Sequence, residues 1–174
     1  MKKLPLPLFF IGTIAMMVVM AKTGAPLKTP ATPLGILDLE FAYDSSKAAA
    51  VINAWMPVDA SPGIIPAAKT NTYFDFLFLF FYSFFLFLAC RRIADHSGGL
   101  IQKAGNLIAS GALLAGLFDI IENLGMLVTL GGHVSGTIAF LTTFFSVIKW
   151  ILALAAVLYM LSGMLMLLWR KIRN

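Results

Sequence analysis

The stretch 72–90 holds one charged side chain, Asp75, among residues that are almost all phenylalanine, leucine or another apolar type. It meets the need for about 20 apolar residues in a helix that crosses a hydrocarbon layer about 30 Å thick. Three further runs share this character, at 4–21, 104–130 and 137–169. Lipid offers no hydrogen-bond partners, so such runs must satisfy their backbones internally, as helices. The sequence therefore predicts an all-α integral membrane protein, a four-transmembrane-helix bundle that forms a single membrane domain. A small extracytoplasmic segment, 22–71, joins helices 1 and 2.

Only 12% of the 174 residues are charged and 60% are apolar, against roughly 25% charged in soluble domains. Four spans use most of the chain and leave little for a soluble catalytic domain. The net charge of +5 does not point to nucleic acid, because the basic residues flank the apolar runs instead of forming a patch. The expected partners are the lipid bilayer and, as a further class, membrane-protein subunits. Lys2 and Lys3, then Arg91, Arg92 and Lys103, then Arg170, Lys171 and Arg173 all fall on one side after four crossings. The excess predicts a multi-pass protein of the cell membrane with both termini cytoplasmic. Lys22, Lys28, Lys47 and Lys69 are diluted along the first loop, and the 131–136 turn has no Lys or Arg. Val19-Met20-Ala21 has the spacing of a signal-cleavage site, but the run before it exceeds a usual signal core of about 7–15 residues, which favours a retained helix.

Pro26, Pro30, Pro33, Pro57, Pro62 and Pro66 interrupt the loop segment and exclude one continuous helix through it. The alternation of Ile36-Leu37-Asp38-Leu39-Glu40-Phe41 reads as a short strand, with Asp38 and Glu40 on one face. Asp44, Ser45 or Ser46 then caps a helix that reaches Trp55, with Ala48, Val51, Ile52 and Trp55 on its apolar side.

Charges inside apolar helices are the informative exceptions, since each costs roughly 2.5–3.5 kcal/mol near a span centre. Asp75, Asp119, Glu122 and Lys149 are such charges. At about 1.5 Å per residue they stand roughly 24–30 Å from the cytoplasmic ends of their helices, all near the outer leaflet. Asp119, Glu122 and Asn123 share one face of the third span. The same face carries Gly105, Ala109, Ala112 and Gly116, a small-residue stripe that admits a close neighbour. On the fourth span, Ser146, Ala153, Ala156 and Gly163 turn Lys149 inward, so it should meet Asp119 or Glu122. The ligand-binding candidates are thus Asp75, Asp119, Glu122, Asn123 and Lys149, with Asp38 and Glu40 as secondary candidates above them.

Three span carboxylates against one lysine leave a formal excess of two negative charges, which a proton, a loop lysine, a cation or a cationic ligand could balance. The same residues could equally form a structural polar seam. Tyr73 and Trp150 suit an aromatic belt at the interface.

Other chemistry finds little support. A lone Cys90 excludes an intrachain disulfide, a CxxC pair and a cysteine-rich metal site. With them go quinone-linked epoxide reductases and claudin-like or tetraspanin-like proteins; sterol-isomerase-like bundles need a histidine-bearing motif absent here. His96 and His133 fall on opposite sides. Ser83, Ser110, Ser146 and Ser162 lack a neighbouring histidine. Oxygen ligands from Asp75, Asp119 and Glu122 would suit Mg²⁺, Ca²⁺ or Mn²⁺, though no loop motif accompanies them. No catalytic residue, metal or cofactor is assigned. In order of preference, the sequence suits a bundle that binds a cation, proton or polar lipid head group, an accessory subunit of a membrane complex, or a lipid-modifying membrane enzyme.

Overall fold

The computed structural model describes residues 6–56 and 63–173, apart from the side chains of Arg170 and Lys171. Lys2, Lys3, Leu4, Pro57 and Pro62, used above for topology and boundaries, lie outside the described residues. The helices are α1 (Leu6–Gly24), α2 (Ile36–Glu40), α3 (Ser45–Trp55), α4 (Ile65–Asp95), α5 (Gly99–Leu130) and α6 (Gly136–Arg173). Among the described residues α1, α4, α5 and α6 are long and apolar enough to cross a membrane. All four continue past the apolar runs that announce them. In α4, Pro66 sits in the first turn, where its missing N–H costs nothing, and the helix runs on through Arg91 and Arg92 to Asp95.

The strand expected at 36–41 is absent: these residues form α2, and no β-strand occurs among the described residues. Gly35 enters α2 at φ +67°, a left-handed conformation that favours glycine. The Asp38 carboxylate accepts from the Leu34 backbone N–H at 2.8 Å, a local bond that favours a turn over an extended chain. Leu39 and Glu40 are both buried although adjacent, which strand alternation would forbid. The helix expected next forms as α3, with Asp44 as N-cap accepting from Lys47 N.

The segments around α2 and α3 form a cap over one end of the bundle. Trp55 is fully buried there among Leu27, Leu39, Val51, Ile65, Met126 and Leu130. Its indole N–H donates to Leu27 O and Thr32 Oγ1, each at 3.1 Å.

Within the bundle α5 packs between α4 and α6, α6 also meets α4, and α1 packs along α4. The stripe on α5 explains the close approach: Ala109 and Ala112 are fully buried, and a Cβ on Gly116 would come within 2.8 Å of Ser83 Cβ on α4. The phenylalanines of α4 have a partner inside the chain. Phe9 of α1 stacks on Phe84 at 5.4 Å and also meets Phe80 and Phe81, while Phe10 meets Phe85.

Gly116→Val should separate α4 from α5 and destabilise the protein by about 1–3 kcal/mol, the usual cost of overpacking. Gly111→Ala should be near neutral, since its nearest atom, Leu152 Cδ2, is 3.5 Å from the added carbon. Thermal unfolding in detergent, followed by circular dichroism, compares the two.

Candidate functional site

Spacing on α5 puts Asp119, Glu122 and Asn123 on one buried face, and α6 brings Lys149 against it. The Lys149 ammonium lies 3.1 Å from Asp119 Oδ1 and straddles the Glu122 carboxylate, 2.8 Å from Oε1 and 2.7 Å from Oε2. A third carboxylate, Glu40 of α2, reaches the same ammonium at 3.6 Å. Glu40 is held by α6: its Oε2 accepts from Ser146 Oγ at 3.0 Å and Trp150 Nε1 at 3.3 Å, and its backbone carbonyl accepts from Thr143 Oγ1 at 2.8 Å. Residues 143, 146 and 150 recur at helical spacing, so one face of α6 receives the cap.

Asp75 completes the layer from α4. Its Oδ2 accepts from Asn123 Nδ2 at 2.8 Å, while Tyr82, two turns along α4, donates to Asp119 Oδ2 at 2.8 Å. Among the described residues Asp75 takes no other hydrogen bond and pairs with no cation. Asn71, one turn before it, donates to Met20 O at 3.1 Å and Thr23 Oγ1 at 2.7 Å and so ties α1 to α4. Four buried carboxylates thus surround one buried ammonium, a formal excess of three negative charges.

The structure brings Asp75, Asp119, Glu122, Asn123, Lys149 and Glu40 together and leaves Asp38 out. Asp38 does not share a face with Glu40, because α2 is helical and its carboxylate is spent on Leu34 N. Tyr82, Ser146, Thr143 and Asn71 are members of the layer that the sequence reading did not name as site residues. Tyr82 was legible as the i+7 neighbour of Asp75, and Asn71 as its i−4 neighbour. Trp150, expected in an aromatic belt, also donates to Glu40.

A cavity of about 480 Å³ opens beside this layer, between α1, α4, α5 and α6 and under α2. Along α4 its wall runs from Asn71 to Leu86, roughly 22 Å at helical rise. Its charged lining residues, Glu40, Asp75, Asp119 and Lys149, cluster beneath the cap, whereas the far end is walled by Phe85, Leu86, Val157 and Met160. Phe10, Ile14 and Met17 of α1 line it too, yet remain 48%, 46% and 52% exposed. The cavity wall on this side is thus formed by apolar side chains that also reach the surface. Glu122 stands behind Lys149, outside the lining.

Among the described residues no group of three histidine, cysteine, aspartate or glutamate side chains is placed to hold one metal ion. Lys149 and Asn123 occupy the space between the carboxylates. Cys90 is buried and its thiol donates to Ala156 O at 3.5 Å. Comparison with protein-family models, curated proteins and solved structures finds no match for this chain.

Lys149→Met should cost about 3–5 kcal/mol, since it strands buried carboxylates without their cation. Adding Glu122→Gln should recover part of that loss, because the amide removes one of the uncompensated charges. A double-mutant cycle of thermal midpoints measures the coupling; simple additivity of the two substitutions would contradict the shared ion pair.

Proposed function

We propose that this chain is a multi-pass protein of the cell membrane that binds a single-chain amphiphile. The ligand's head lies against the carboxylate and lysine layer and its apolar chain lies in the cavity between α1, α4 and α6. One observation carries the reading: an elongated cavity with charged walls at one end, apolar walls at the other and a side wall of apolar residues that are themselves exposed. Its volume falls in the range of about 300–1,000 Å³ common for small-molecule sites. Pairing a polar end with an apolar trough suits a molecule that is itself divided in this way.

Four helices of adequate length and apolarity support membrane insertion. The clustering of Arg91, Arg92, Lys103 and Arg173 away from the cap end supports cytoplasmic termini. With that orientation the cap is extracytoplasmic, the polar layer sits near the outer leaflet, and a lipid-borne ligand enters sideways past α1 without leaving the bilayer. An intramembrane charge is most economically retained where it serves a ligand or pathway, and Asp75 and Glu40 face such a space.

The test uses protein in phosphatidylcholine nanodiscs doped in turn with hexadecylamine, hexadecanol or hexadecanoate, followed by native mass spectrometry of the released protein. At least one of the three should remain bound. Ala153→Trp, which fills the cavity from α6, should abolish the adduct while helical content is retained. If none of the three is retained, the amphiphile reading fails.

A further inference from the structure

Resting on the amphiphile reading, we propose that the head group is a protonated primary amine, seated on Asp75. Lys149 is shared among Asp119, Glu122 and Glu40, all within 3.6 Å. Asp75 lines the cavity, is 8% exposed, and among the described residues has only the Asn123 amide as a donor.

Two further acceptors nearby also lack donors. Asn123 and Asn71 line the cavity and are 0% and 1% exposed, and each has a side-chain oxygen without a hydrogen-bond partner. Their orientation follows from their own donors: the Asn123 amide nitrogen faces Asp75, and the Asn71 amide nitrogen faces Met20 O and Thr23 Oγ1. Both carbonyls are therefore left over as acceptors. Buried acceptors are rarely left unmatched, since each costs about 1–3 kcal/mol.

The site thus has a formal surplus of carboxylates over cations, and surplus acceptors. An ammonium head supplies a positive charge and three N–H donors. A hydroxyl supplies one donor and no charge, and a carboxylate or phosphate adds to the existing repulsion. Phe78, one turn along α4 from Asp75, and Trp150, whose ring lies beside the Lys149 ammonium, also line the cavity and present aromatic rings that are compatible with a cation. The proposed ligand is a long-chain primary amine without a phosphate, with its nitrogen at Asp75 and its chain directed toward Phe85 and Met160.

Competition in the same nanodiscs, at equal mole fraction of each amphiphile, tests the head group. Hexadecylamine should be retained about tenfold over hexadecanol, as one charge-assisted hydrogen bond suggests, and hexadecanoate should be excluded. Trimethylhexadecylammonium has the charge but no N–H donors and should bind more weakly than the primary amine. Asp75→Asn should bring the amine and the alcohol to near parity. Equal retention of amine and alcohol by the unaltered protein, or preference for the carboxylate, would overturn this inference while leaving the amphiphile reading intact. Retention of none of them would overturn both. The head-group series on the unaltered protein decides the matter even where Asp75→Asn fails to fold.

Discussion

The Lys149 ammonium is the point on which the arrangement turns. It stands 3.1 Å from Asp119, 2.7 Å from Glu122 and 3.6 Å from Glu40, so one cation joins α6 to α5 and both to the cap. In a low-dielectric interior a buried charge without partners is far costlier than one with them, so sliding α6 along α5 by a turn would strand several charges at once. The pairing fixes the register of the two helices more firmly than apolar packing would, since the charges stand at particular positions whereas small apolar side chains recur along both helices. Through Glu40 the same constraint reaches α2 and holds the cap over one end of the cavity.

Side-chain size then decides where the cavity lies. Along α5 the buried face is Gly105, Ala109, Ala112 and Gly116, which lets α4 and α6 close on it from either side. The seam between α1 and α4 is built from phenylalanine rings, with Phe9 against Phe80, Phe81 and Phe84, and α1 comes close enough that a Cβ on Gly12 would collide with the Phe81 ring. The side of α1 turned toward α6 has no comparable filling. The cavity lies in the gap that remains, lined by residues of α1, α4, α5 and α6.

The helices and much of the polar layer could be read from residue types alone. Long apolar runs admit little but helices, and a charge within such a run is conspicuous whatever the tertiary fold. Alternation over six residues at 36–41 was a weaker signal. There Gly35 and the Asp38 bond to Leu34 N favour a turn of helix, and a segment so short has no long-range period to oppose them. Trp150 and Tyr82 were obscured for another reason. An amphipathic aromatic near the end of a span suits an interface by depth, but depth does not say which way the ring faces. The partner that decides for Trp150 is Glu40, 110 positions away in sequence. For Tyr82 the helical spacing from Asp75 carried the information, and only knowing that Asp75 faces α5 makes it usable.

A polar seam that holds helices together and a site that receives a ligand would use different residues, and the layer divides along that line. Glu122 has no exposed side-chain surface and gives both oxygens to Lys149; it stands outside the cavity and serves the joint between α5 and α6. Asp119 is shared, with one oxygen toward Lys149 and the other accepting from Tyr82. Asp75 has no cation among the described residues and lines the cavity. If the whole layer were structural, replacing Asp75 by a neutral residue of the same shape should cost little or even stabilise, because it removes a buried carboxyl that no salt bridge holds among the described residues. If Asp75 serves a ligand, the same replacement leaves the ion-paired joint in place and changes what the cavity holds. The charge that the fold uses least is thus the one whose retention most needs an explanation outside the fold.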